Sequence, residues 1–113
     1  MTHFVDVWIN CPDKPTAEAI AEACIAEACI ADKLAACANI FAPIDSLYRW
    51  QGAVERDGEV PLLLKTRAEL FDAVCERVRP LHPYEVPAIV ATAITEIDQP
   101  YAEWLRRETR EPA

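Results

Sequence analysis

Apolar and polar positions along the chain fall into blocks of changing period. Phe4-Val5-Asp6-Val7-Trp8-Ile9 is β-branched and aromatic, and predicts a buried strand ended by Cys11-Pro12-Asp13. Pro15-Thr16 then opens an alanine-rich stretch that predicts a long helix to about Lys33. A short apolar run, Ala36 to Ala42, is closed by Pro43. From Ile44 the chain alternates strictly, with Ile44, Ser46, Tyr48 and Trp50 on one face and Asp45, Leu47, Arg49 and Gln51 on the other. This run continues to Val54, and Arg56-Asp57-Gly58 reads as a hairpin turn. Glu59 to Thr66 returns as a strand, with Pro61 expected near its start or on an edge because proline has no N–H to donate. Ala68 to Arg79 predicts an amphipathic helix with Leu70, Phe71, Val74, Cys75 and Val78 on one face, ended by Pro80 and Pro83. Ala88 to Ile97 is the last core strand. Asp98-Gln99-Pro100 starts a terminal helix with Tyr101, Trp104 and Leu105 on one side.

The resulting order, β-α-β-β-α-β plus a C-terminal helix, predicts an α+β fold of the ferredoxin-like, split βαβ kind. Right-handed crossovers place both crossover helices on one face of the sheet, giving a two-layer sandwich. Residues 1–113 are expected to form a single domain, long enough for one core and too short for two. The hairpin from about Ile44 to Thr66 exceeds what such a domain needs, since strands commonly run about 5–6 residues. A projecting ribbon with Tyr48 and Trp50 on one face is best covered by another subunit, so a homo-oligomer with arms pairing across subunits is expected. The alternative is a bent hairpin that folds back on its own sheet.

Composition narrows the classes. A net charge of −8, from 19 acidic and 11 basic residues, argues against binding a phosphate backbone. Five cysteines in a chain able to form a full core read as reduced thiols, which points to the cytoplasm. The N-terminal MTHFVDVWIN lacks the pattern of a signal peptide, and no apolar run approaches the length of a membrane span.

Residues 22–31 read EACIAEACIA, one pentad written twice, and place Cys24 and Cys29 five apart. On a helix five steps leave two side chains about 140° apart around the axis. Side chains that share a metal on one helix sit three or four apart, so the pair reads as two small buried hydrophobes. The same geometry says that Ile20, before the repeat, and Leu34, after it, cannot both keep their faces on one ideal helix.

With one pentad removed, the segment reads CPDKPTAEAIAEACIADKLAACANI, and the chain resembles the CutA family, the divalent-cation tolerance proteins. Its carriers are CP near the first strand end, KLAACANI, SLYRWQG, EVPLLLKTR, LHPYEVPAI and the final PYAEWL, and the resemblance runs from about Phe4 to Arg107. It implies a ferredoxin-like protomer in a tight homotrimer with interlocked hairpin arms. Some bacterial members carry two histidines before the Pro-Tyr, where this chain has Leu81-His82. In those members a cysteine near the first strand end is linked with copper, and Cys11 lies close to that place.

The candidate chemistry concentrates beyond the second helix. Pro80-Leu81-His82-Pro83-Tyr84-Glu85-Val86-Pro87 holds three prolines in eight residues, which stiffens the loop carrying His82. Imidazole and thiolate suit copper, so His82 and Cys11, with oxygen from Glu59, are the candidate metal ligands. The competing reading has His82 and Tyr84 as hydrogen-bonded residues that fix the loop. Tyr48, Trp50, Lys65, Tyr84 and Glu85 are the candidate lining of a ligand cleft between subunits, with an ordinary interface core as the alternative. No nucleophile elbow, Walker A loop or HExxH motif is present, so catalysis is not expected. The functional expectation is a trimeric divalent-cation (copper) tolerance protein that binds metal weakly, with no required cofactor. Its alternative is a PII-like trimeric sensor or scaffold that takes a small molecule or protein partner at its subunit clefts. Neither reading involves nucleic acid or a membrane.

Overall fold

In the computed structural model, which describes residues 3–25 and 33–112, an antiparallel sheet carries two helices on one face and a third on the other. The elements run β1 (Phe4–Cys11), α1 (Lys14–Ile25), β2 (Cys37–Ile40), β3 (Ile44–Trp50), β4 (Ala53–Arg67), α2 (Phe71–Val78), β5 (Ile89–Ile94) and α3 (Gln99–Arg107). Strand order is β2-β4-β1-β5, with β3 paired to the outer part of β4. Taking β2 and β3 as one interrupted strand, this is the expected split βαβ arrangement.

Strand alternation sorts the side chains. Val5, Val7, Ile9 and Cys11 of β1 face the same side as Val60, Leu62 and Leu64 of β4, and all are buried. Ala17, Ile20, Ala21 and Cys24 of α1 and Val74 and Val78 of α2 close over them as one core. A smaller cluster on the opposite face joins Phe4 to Ala102 and Leu105 of α3, with Ile94 and Trp104 packed against it. Leu105 takes the inward place expected of it, whereas Tyr101 stays exposed. Asp13 starts α1 by accepting the Thr16 amide at 2.9 Å, and the Thr16 side chain, together with that amide, lowers the pKa of its carboxyl. Cys11, expected just past the first strand, is its last residue.

The hairpin turn is not where the sequence placed it. Arg56-Asp57-Gly58 lies inside β4, and the chain reverses at Gln51-Gly52, where Trp50 pairs with Ala53. Both turn residues have positive φ, 50° and 82°, as a type I′ turn requires. Gly58 instead sits in register opposite Asp45. The Asp-Gly pair matched turn chemistry, but uninterrupted pairing of seven β3 residues outweighs a local preference.

Pro61 is also interior to its strand, opposite Asn10 of β1. On its other side β4 changes partner, from Glu59 paired with Ile44 to Leu62 paired with Ile40. The missing N–H therefore falls in the gap between two ladders, while the Pro61 carbonyl accepts the Phe41 amide at 2.9 Å. The outer halves of β3 and β4 project as an arm, and the molecule measures 44 × 30 × 24 Å.

The helix expected to reach Lys33 is described only to Ile25, and Lys33 to Ala35 are not helical. Cys29 lies outside the described residues. The amides of Leu34 and Ala35 both donate to the Cys24 carbonyl at 3.1 Å. Ile20 and Leu34 are both buried, at 0% and 2% exposure, because the second is not on the helix of the first. Among the described residues no helix is long and apolar enough to cross a membrane.

Candidate functional site

Three segments meet where the arm leaves the sheet: the end of β1, the middle of β4, and the loop between α2 and β5. The proline-stiffened loop brings His82 inward, with only 6% of its surface exposed. Its Nε2 lies 2.8 Å from the Asn10 carbonyl, and the Tyr84 amide donates to its Nδ1 at 3.2 Å. An N–H donating to Nδ1 requires that nitrogen to be bare, so the proton sits on Nε2 and is given to Asn10. The Tyr84 ring packs on the imidazole, centroids 4.8 Å apart. Both imidazole nitrogens are thus engaged by backbone, as the loop-fixing reading of His82 requires.

Cys11 is the last residue of β1, next to Asn10, and is wholly buried. Burial pushes its thiol up to about 11, helped by the charges of Asp13 and Glu59. Glu59 pairs with Ile44 at the base of the arm and is 7% exposed. Burial raises the pKa of the nearby Tyr84 phenol, helped by the charges of Glu59 and Asp57. Cys11 and Glu59 are thus close enough for their charges to interact, and His82 is bonded to Asn10, the residue before Cys11. Among the described residues, however, no three His, Cys, Asp or Glu side chains converge closely enough to hold a metal ion.

A cleft of about 650 Å³ opens beside this cluster, between the β3 face of the arm and the loop. Tyr48, Trp50, Tyr84 and Glu85 line it, with Glu59 at its base. Four of the five expected cleft residues are thus brought together within a single chain. Lys65 lies elsewhere, paired to Asp6 across β1 and β4 at 2.8 Å, and does not line the cleft. Tyr48 donates a short hydrogen bond to Asp57 across the arm, which raises its hydroxyl to about 12. Asp57 was not singled out in the sequence because it was read as part of a turn. Arg49 and Val86 line the cleft without having been anticipated. Alternation had assigned Arg49 to the other face of its strand, and Val86 carried no chemical signal.

The family described as CutA1 divalent ion tolerance protein matches residues 5–108. A "Divalent-cation tolerance protein CutA" from Thermus thermophilus is 46% identical over 103 residues, covering 91% of this chain and 95% of that protein. "Protein CutA" of Homo sapiens is 36% identical over 90% of this chain, which spans about half of that longer protein, 54%. The crystal structure of CutA1 from Oryza sativa superposes with a TM-score of 0.88 at 38% identity, covering 96% of this chain and 95% of that one.

Proposed function

The chain belongs to the CutA1 divalent ion tolerance protein family, and from that premise we propose that it serves cation tolerance as a homotrimer binding copper or a similar divalent ion weakly, without catalysis. What supports the metal assignment is the proximity of Glu59 to Cys11, whose thiol feels its charge, and the bond of His82 to Asn10, the residue before Cys11. Weakness follows from how fully these groups are already occupied. A metal bound there would displace either the Asn10 or the Tyr84 backbone bond of His82, and would require the Cys11 thiol, which burial keeps protonated, to release its proton to solvent.

The trimer reading is supported by the arm, which exposes large apolar side chains on both faces. Ile44, Tyr48 and Trp50 are exposed on one, and Leu47 and Val54 on the other at 64% and 63%. A two-stranded ribbon of this kind is marginal in water until something covers it. The whole chain acts as one such domain. Cys11, Cys24, Cys37 and Cys75 are free, which suits a reducing cytosol.

The 650 Å³ cleft favours a second reading, a PII-like trimeric sensor or scaffold in which Tyr48, Trp50, Tyr84 and Glu85 hold a small molecule or a partner. Native mass spectrometry of the reduced protein, with and without equimolar copper, separates the two. The metal reading expects a trimer that keeps a fixed number of copper ions after buffer exchange. The double variant Cys11→Ser, His82→Ala should lose those ions and remain trimeric. A trimer that sheds all copper sinks the metal reading and leaves the cleft reading standing.

A further inference from the structure

The cleft combines two features that together specify the charge of what it takes. Three aromatic rings, Tyr48, Trp50 and Tyr84, stand among its lining residues, and two carboxylates, Glu59 and Glu85, share the lining with them. Glu59 is 93% buried (7% exposed), so its charge is poorly screened by water, and it lies close enough to Tyr84 for that charge to act on the phenol. Tyr48 is tied to Asp57 through its hydroxyl, and the Tyr84 ring is packed on the His82 imidazole, so two of the rings are held in place at the cleft. Aromatic faces attract cations through the ring quadrupole, and most strongly where water is excluded. Metal ions prefer direct oxygen, nitrogen or sulfur ligands, and three rings with two spaced carboxylates do not supply a closed set. An organic cation uses both parts at once, its alkyl groups against the rings and its charge toward the acids.

We propose that this cleft is a recognition site for an organic ammonium ion, of the substituted or quaternary amine class, seated on Trp50, Tyr48 and Tyr84 and neutralised by Glu59 and Glu85. The proposal rests on the cleft reading above and is independent of metal binding at Cys11 and His82. Arg49 is the one cation among the lining residues and works against the ligand. Its removal therefore strengthens binding, which a merely apolar cleft would not show.

The test follows the indole N–H signals of the full-length protein by ¹⁵N NMR, with Trp50 assigned through Trp50→Phe. The probes are choline and its neutral isostere 3,3-dimethylbutan-1-ol. The expected result is a saturable shift of the Trp50 signal with choline, and binding about tenfold weaker for the neutral alcohol. Glu59→Gln should weaken choline binding severalfold while leaving the alcohol unaffected, and Arg49→Ala should tighten choline binding. Equal binding of the two probes would overturn the ammonium assignment and leave a neutral small-molecule cleft. No saturable Trp50 shift with either probe would overturn the assignment and the cleft reading together.

Discussion

The Leu34 amide donates to the Cys24 carbonyl at 3.1 Å, although ten positions separate the two in the chain. Ala35 donates to the same oxygen, so the chain that leaves α1 at its end re-enters the core beside it. The flanking structure is thereby held in place whatever length of chain lies between. Deleting one pentad, residues 27–31, reduces the separation from ten to five, the 6→1 spacing of an ordinary helix C-cap.

Such a deletion should leave the fold and assembly intact and raise stability slightly. Halving the closed segment saves about 0.6 kcal/mol of closure entropy. Urea unfolding of the two forms measures this. A deletion that loses more than about 2 kcal/mol would show that the repeat itself packs into the core.

The Gln51-Gly52 turn makes a second prediction. Gln51 holds a positive φ that a side chain other than Asn or Gly adopts at a cost. Gln51→Asn should therefore stabilise the protein by about 0.5 kcal/mol, and Gly52→Ala should destabilise it by about 1 kcal/mol. No atom approaches within 4 Å of a Cβ built at Gly52, so the whole effect is backbone strain. Thermal unfolding of the two variants should move in opposite directions. A shift of the same sign in both would contradict the turn assignment.

The buried thiols should contribute to a loss of stability at alkaline pH. Burial raises both Cys11 and Cys24 from 9.0 to about 11. Between these values the unfolded chain has released its thiol protons and the folded chain has not. The folded state then binds more protons, so stability falls as pH rises from about 9 to about 11. Cys11→Ala and Cys24→Ala should each flatten that decline in the melting temperature. A decline unchanged in both variants would assign it to other groups.

Leu47 and Val54 test the arm as an interface. They share the face opposite Tyr48 and Trp50, so changing them leaves the cleft lining untouched. Placing charge there by Leu47→Glu or Val54→Glu should weaken association by about tenfold or more for each side chain, given what burying one is worth. Light scattering behind size exclusion reads the result. A double variant that remains fully assembled at micromolar concentration would remove this face from the interface.

Much of this was written locally. The β1 alternation, the α2 face of Val74 and Val78, and the start of α3 after Asp98 each follow from one period read over a few residues. The stiffening of the His82 loop was legible for the same reason, since proline acts on its own backbone. The aromatic side chains of the cleft could be named from β3 alternation and from the loop motif, because each lies within a single short segment.

What escaped the sequence depended on pairing between distant segments. The turn moved from Asp57-Gly58 to Gln51-Gly52 because register along the whole arm, a sum over many residues, outweighed one dipeptide's preference. Pro61 was accommodated inside a strand by a change of partner that occurs only when β2 and β3 both lie on β4. Lys65 was drawn to Asp6 across β1, away from the cleft, and Asp57 was brought to Tyr48, through cross-strand neighbours that no local pattern encodes. The occupation of both His82 nitrogens belongs to the same class, because Asn10 lies 72 positions away. The sequence by itself determined the kind and order of the elements and the apolar faces of β1 and α2, since these follow from short-range sterics and periodicity. Tertiary structure alone decided which charges meet and which polar atoms are already satisfied, because both depend on contacts that close only when the sheet is assembled.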